Sequence, residues 1–512
     1  MIKYNYNLGL LFDEVVNRCG SNIALKYADN NYSYLELNNK ANNLVKLLFK
    51  RGLSQGDVVA IANTKKVNSF ALMIACIKTG IIYTNIDIDG PAERLEKIFK
   101  TCKPKIVFSD EKSDVVKKAS EHMSIEHFLL TDELLNKNNE YQYSIMEQMI
   151  KVDGSSIAYI MFTSGSTGIP KGAAITHQNL IHFISWSHTF IEIRHNDVFA
   201  NLSPMYFDNS VFDFFSALFS GSCLAPIRQD IIENPLLLVN YIDDLKCTIW
   251  FSVPSMLRYL INMKGLSKKN FKYIRTIIFG GEGYPKKDLF KLYKLYNERV
   301  DIFNVYGPTE CTCICSAKKI EEEDFADLRG LPSLGSLNQN FGYLILDKKN
   351  NETSEGELCL IGPNVGVGYY NDRKRTSESF FDCEEKVHYG KKLYKTGDLV
   401  KEKNAFLYFK GRLDNQIKHM GYRIELEEIE QGLNEIKGVD QAAVMYKKYE
   451  NNGQIIAFIS LNEVLPKNKI EEELSKIIPT YMIPHKIKIL NTLPLNKNGK
   501  IDKNSLISKL KT

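Results

Sequence analysis

Nowhere in its 512 residues does the chain carry an apolar run long enough to cross a bilayer. The most apolar stretch, Phe70 to Ile77, is stopped by Lys78 and Gly80 and reads as a buried helix. The N-terminal stretch lacks the apolar core of a signal peptide and has Asp13 and Glu14 early. A strong excess of charge of either sign is also missing. Lys and Arg number 66 against 61 Asp and Glu, leaving +5, which gives no case for a nucleic-acid partner. Ten cysteines lack paired spacing, which argues against a disulfide framework and fits a reducing, cytoplasmic setting. Cys311, Cys313 and Cys315 do cluster. Alternation would set all three on one face of a strand, a poor tetrahedral arrangement, and no His pair is near. They read as buried or pocket-lining thiols.

The length exceeds what one core usually supports, so at least two domains are expected. Strand-like runs at 58–62, 81–86 and 105–109 alternate with helical patterns at 33–50, 67–79 and 92–101. Ser33 is a plausible N-cap for the first helix. Two further strand–helix units begin at 248–251 and 276–279. This alternation implies an α/β fold built on helix-flanked parallel sheets, with ligands beyond the carboxyl ends of the strands. Residues 110–155 are polar and irregular and are expected outside the core. Beyond about Gly411 a small α/β unit is expected, with helices near 426–436 and 469–478. The expected division is an N-terminal core domain, 1–410, and a small mobile C-terminal domain, 411–512.

The densest chemistry lies at Thr163-Ser164-Gly165-Ser166-Thr167-Gly168, followed by Pro170-Lys171-Gly172, after an apolar strand. Glycines let the backbone approach a ligand closely. Exposed N–H groups, four hydroxyls and a lysine can wrap a polyphosphate. A flexible Gly/Ser turn is the alternative. The usual P-loop spacing is absent, because Gly168 stands three residues before Lys171 and Gly172 follows it.

Other segments accompany this loop: Asn304-Val305-Tyr306-Gly307-Pro308-Thr309-Glu310, Tyr394-Lys395-Thr396-Gly397-Asp398, GRLDNQIKHMGYRIE from Gly411, and Asn498-Gly499-Lys500. In order and spacing, from about residue 30 to 502, they resemble the core motifs of the adenylate-forming enzymes. These are the acyl-CoA synthetases, the luciferases and the adenylation domains of nonribosomal peptide synthesis. The resemblance implies an AMP-forming ligase that uses ATP and Mg²⁺. A substrate carboxylate attacks the α-phosphate, pyrophosphate leaves, and the acyl group passes to a thiol. Lys500, Thr163 and Glu310 would be catalytic, with Glu310 as the Mg²⁺ carboxylate. Residues 163–168 with Lys171 would hold the β- and γ-phosphates and Thr309 the α-phosphate. Tyr306 would stack on adenine and Asn304 would read its edge. Asp398 would accept the ribose hydroxyls with Arg412 beside it, and Gly281 and Gly307 would complete the nucleotide site. Asp414 falls at the family's hinge.

By the same resemblance Asp208, in Phe207-Asp208-Asn209-Ser210, would pair with the α-ammonium of an amino acid. The alternative is that it caps the helix starting near Ser210. The side-chain pocket would comprise Asn209, Phe212, Phe251, Ile278, Gly280, Val305, Cys313 and Ile314. None is charged, which favours a small neutral amino acid. No carrier segment follows Lys500, a layout similar to the freestanding D-alanine–carrier protein ligases. The implied partner is a separate carrier protein bearing phosphopantetheine, with no membrane partner. The competing readings are an acyl- or aryl-CoA ligase and a non-catalytic family member.

Overall fold

The structure is a computed structural model that describes residues 6–133, 144–383, 390–448, 453–494 and 501–508. Lys500, Asn498 and Gly499 lie outside the described residues.

Two large sheets carry the bulk of the chain. One has nine strands, in the order Ser336–Leu337, Ser316–Lys319, Asp301–Tyr306, Thr276–Gly280, Ile249–Ser252, Val198–Asn201, Cys223–Pro226, Ile23–Lys26 and Asn31–Ser33. Its middle is parallel. The carboxyl ends of the central strands therefore open on one edge, where residues 253, 281 and 307 begin their loops. The second sheet has seven strands, in the order Gly368–Tyr369, Lys171–Thr176, Ile157–Thr163, Ile82–Ile86, Val58–Ala62, Ile106–Ser109 and Glu126–Leu129.

The two sheets share one core. Val59, Ile61, Tyr83 and Tyr159 from one meet Phe199, Leu224, Phe251 and Ile278 from the other. Helix Val67–Thr79 runs through this core and is buried on every face, which accounts for its apolar run. Lys65 ties the sheets together: its buried ammonium donates to the carbonyls of Asn201, Leu202 and Ile227 at 2.8–2.9 Å. Helix Tyr34–Lys50 starts from Ser33 with a reciprocal capping box to Glu36.

Residues 110–155 depart from expectation. Helix Asp114–His122 buries Val116 and Ala119, and strand Glu126–Leu129 extends the seven-stranded sheet beside Ile106–Ser109. A few apolar positions suffice here because an edge strand and its covering helix each bury one face only. The cysteine cluster departs too. Thr309–Cys311 is a short 3₁₀ turn, and Thr312 and Cys313 take positive φ of 59° and 71°. The three thiols are buried but point into different cores, Cys313 between the two large sheets and Cys311 and Cys315 elsewhere.

A third sheet of five strands holds Lys392–Lys403 against Glu355–Ile361 and Phe406–Arg412. Gly411 lies within the last of these strands. After Arg412 the chain forms a hairpin, Gln416–His419 with Tyr422–Glu425, and then a three-stranded sheet. Helices Leu426–Asn434 and Lys467–Ile477 cover that sheet around Ile429, Leu433, Val444, Ile455 and Leu474.

Candidate functional site

A single cavity collects the ends of these elements. Its walls come from the 157–163 strand end (Thr163, Ser164), from the nine-stranded sheet (Phe251, Gly280, Gly281, Val305) and from the loops 206–209 and 307–314. The third sheet adds Thr396, Asp398 and Arg412, and the C-terminal unit closes the cavity with Gln416, Lys418, Gly421, Arg423 and Tyr481.

One half of the cavity is largely apolar, with one amide and one acid. Phe207, Asn209, Phe251, Gly280, Val305, Cys313 and Ile314 line it with Asp208. Phe212 and Ile278, expected in the wall, stand behind it. Both are fully buried, with Phe212 edge-on against Phe251 at 5.3 Å. Ile278 shares the strand face of Gly280, two residues on, and Phe212 stands one helical turn after Asn209, so both keep the orientation of the wall but sit one layer deeper, in the core between the two sheets. Gly280 does line the cavity, but a Cβ there would meet the Val305 carbonyl at 2.6 Å. The neighbouring strand needs its bareness as much as a ligand would.

Asp208 occupies the N-cap position of helix Asn209–Leu218, yet its side chain makes no capping bond and its backbone is already helical. Its carboxylate instead accepts a hydrogen bond from Thr309 Oγ1 at 2.5 Å and faces the cavity. Burial pushes its carboxyl up, against the Thr309 bond and the charges of Lys418 and Arg423. A half-buried carboxylate withheld from its own helix is available to a ligand.

The other half is dense in charge: Arg94, Asp398, Arg412, Lys418 and Arg423 line it, and a cluster around Glu310 lies behind its wall. Glu310 is fully buried. Tyr369 donates its hydroxyl to one carboxylate oxygen at 2.7 Å, and Arg423 Nη1 holds the other at 2.8 Å. Lys171 lies 3.9 Å from Glu310 and 3.5 Å from Glu425. Burial would raise the Glu310 carboxyl, but Arg423, Lys171 and the Tyr369 bond outweigh it and hold it at about 2. Burial pulls Lys171 down, helped by Arg423 and opposed by Glu310 and Glu425.

The loop 163–168 is gripped from the C-terminal side. Ser164 Oγ donates to the Arg423 carbonyl at 2.7 Å, and the Gly165 amide donates to Glu428 at 3.2 Å. Gly168, with φ of 67°, closes a turn onto Gly165 and abuts Gln431. Thr167 accepts from Arg375. Thr163 Oγ1 is buried and has no partner among the described residues. Ser166 and Thr167 are the exposed hydroxyls of the turn.

Tyr306 and Asn304 sit beneath the cavity. Tyr306 donates its hydroxyl to Asp398 at 2.5 Å, with the Lys418 ammonium 5.5 Å from its ring centre. The Asn304 amide donates to the Ser333 carbonyl at 2.8 Å. Asp398 also accepts from Arg412 at 2.5 Å, and Arg412 bridges onward to Asp414 at 2.6 Å. The hairpin docks through an aromatic ladder. Tyr422 stacks on Tyr481 at 3.7 Å and meets Phe207 edge-on at 5.1 Å.

Several participants escaped the sequence reading. Lys418, Glu425 and Glu428 sit in or just after the GRLDNQIKHMGYRIE run, which was the available signal. Tyr369 and Arg94 had none, since Arg94 reaches Glu428 across a separation of 334 residues.

Known proteins resemble this chain closely. The family described as AMP-binding enzyme matches residues 12–370, and the AMP-binding enzyme C-terminal domain matches 428–500. A D-alanine–D-alanyl carrier protein ligase of Listeria monocytogenes serovar 1/2a is 30% identical over 505 residues, covering 95% of both chains. Among solved structures, an o-succinylbenzoate CoA synthetase of Bacillus subtilis superposes with a TM-score of 0.85 at 21% identity, covering 98% of both chains. PA1221, a protein with adenylation and PCP domains, superposes at 0.84 and 20% identity, covering 98% of this chain and 84% of that one. At such identities the structures speak for the fold alone. The sequence match over residues 12–370 says more: the chain belongs to the AMP-binding enzyme family.

Proposed function

We propose that the protein activates a small neutral amino acid with ATP and passes it to the phosphopantetheine thiol of a separate carrier protein. The observation that carries the amino-acid reading is Asp208: a carboxylate at a helix N-cap that leaves its own helix uncapped and faces the largely apolar half of the cavity. An α-ammonium is the ligand such a group recognises. The D-alanine–carrier protein ligases, at 30% identity over nearly the whole chain, support the carrier as acceptor.

In the first step a carboxylate oxygen attacks the α-phosphorus of ATP and the bond to pyrophosphate breaks. Both reactants are anions, so alignment and charge neutralisation do most of the work. Asp208 fixes the amino end, and Thr309, 2.5 Å away, stands where the α-phosphate would come. Thr163 Oγ1, buried without a partner among the described residues, fits a phosphate oxygen. Ser164, Gly165, Ser166, Thr167, Gly168 and Lys171 would hold the terminal phosphates. Asp398, with Arg412, would hold the ribose, and Gly281, Asn304, Tyr306 and Gly307 the base. Lys500 would bridge the carboxylate and the α-phosphate. Glu310 is the carboxylate for Mg²⁺, which when bound would neutralise phosphate charge. Its oxygens are engaged by Tyr369 and Arg423 here, so the residues fit a metal once Arg423 withdraws. The nucleotide substrate and the unpaired thiols favour a cytoplasmic setting.

Amino-acid-dependent exchange of labelled pyrophosphate into ATP tests the first step, using the twenty L-amino acids and D-alanine. Exchange with small neutral amino acids supports the reading. Exchange only with fatty or aryl acids, or acyl transfer to CoA but not to a phosphopantetheinylated carrier, overturns it.

A further inference from the structure

The C-terminal unit touches the phosphate loop through three charged side chains, and each takes a place that a phosphate or its counter-ion would need. Arg423 sits on Glu310 at 2.8 Å. Glu425 sits 3.5 Å from Lys171. Glu428 takes the Gly165 amide at 3.2 Å with one oxygen and pairs with Arg94 through the other. All three belong to one short stretch, the last strand of the hairpin and the helix after it.

The charges match in sign and position. On the larger part of the protein, Lys171, Arg94 and Glu310 carry one net positive charge. Arg423, Glu425 and Glu428 answer with one net negative charge, the cation over the carboxylate and the anions over the lysine and the loop amide. A polyphosphate with its divalent cation presents the same arrangement. All of these side chains are largely withdrawn from water, so few would stay buried without an answering charge.

We propose that the docked C-terminal unit fills the phosphate site with a built-in substitute for magnesium pyrophosphate: Arg423 replaces the metal, and Glu425 and Glu428 replace phosphate oxygens. The proposal rests on residues 163–171 being the phosphate ligands, as argued above. The two occupants share Glu310, Lys171 and the Gly165 amide, so they exclude each other. Docking follows pyrophosphate departure, and pyrophosphate must displace the docked unit to return. By linkage, weakening the internal substitute strengthens the external ligand by the same factor. A purely structural role for these carboxylates predicts the opposite: their loss weakens the site or leaves binding unchanged.

The test uses the full chain and inorganic pyrophosphate with MgCl₂, titrated calorimetrically. A donor–acceptor dye pair at K100C and K476C reports docking, since these exposed positions lie on helices that pack together when the unit is docked. Magnesium pyrophosphate should lower energy transfer in the parent. The isosteric double variant E425Q/E428Q should start with lower transfer and bind magnesium pyrophosphate about tenfold more tightly. R423Q, removing the substitute cation instead, should move both readouts the same way. Equal or weaker binding in these variants, with transfer indifferent to pyrophosphate, overturns the substitution while leaving the phosphate loop intact. Absence of any binding of pyrophosphate or ATP to the parent overturns the loop assignment and this inference together.

Discussion

The two halves of the cavity are built on different plans. The half around Asp208 is walled mainly by one body, the strand ends and loops of the nine-stranded sheet backed by the fully buried Phe212 and Ile278, with Phe207 meeting Tyr422 and Tyr481 of the C-terminal unit. The half around Glu310 belongs to two, because Arg423, Glu425 and Glu428 come from beyond the third sheet. Recognition of a small substrate needs walls that stay put, since a misplaced apolar contact forfeits selectivity. Handling a leaving pyrophosphate needs ligands that can be exchanged. If the C-terminal unit exchanges with pyrophosphate as proposed, fixed walls and exchangeable ligands are divided within a single cavity along the line between Asp208 and Glu310.

Substitutions should separate the halves. Asp208→Ala should have the largest effect, lowering amino-acid-dependent exchange at least ~10²-fold, because an orphaned buried charge costs about 3–5 kcal/mol. ATP binding, followed separately by calorimetry, should change little; if it fell equally, the halves would not be independent. Phe251→Ala should enlarge the half around Asp208 and shift kcat/KM toward larger side chains by at least about tenfold, the scale of a single methylene. Profiling exchange across aliphatic amino acids of increasing size reads this out.

Acid should act on the shared half. The Glu310 carboxyl is held at about 2, below its ordinary 4.5. A depressed carboxyl stabilises the fold above its unfolded value and loses that contribution as pH falls toward the folded one. Urea midpoints should therefore drop between about pH 5 and pH 2. Arg423→Gln, by removing the main opposing charge, should move the loss to higher pH. Far from both halves, Ser33→Ala should cost about 1 kcal/mol of stability through its lost cap. It should leave exchange rates unchanged, which thermal denaturation and the exchange assay together would check.

The strand ends that lead to Thr163, Gly281 and Gly307 were legible because alternation of strand and helix sets where loops converge, and motif residues mark those ends; Asp398, in the middle of strand Lys392–Lys403 of the antiparallel third sheet, was marked by its motif alone. The same logic could not say how deep each neighbour of a motif lies, and the structure sets Phe212 and Ile278 behind the lining while Cys313 and Ile314 reach it. Spacing of Cys311, Cys313 and Cys315 suggested a strand. Left-handed backbone at Thr312 and Cys313 broke that periodicity, and neither residue is of a type that announces it. The low apolar density of 110–155 concealed an edge strand, since a one-faced element needs few apolar positions. Contacts such as Arg94 with Glu428 are set by how two bodies meet, which no local pattern encodes.

Lys65 has a mechanical consequence. Three carbonyls from the nine-stranded sheet converge on one ammonium borne by a loop of the seven-stranded sheet. A cation so tethered resists shear between the layers, because sliding would strand three buried acceptors at once. The two large sheets are thereby held as one unit. The proposed rotation about Asp414 would fall to the short link after them, with Arg412 as its bearing: one end of its guanidinium rests on Asp398, the other on Asp414.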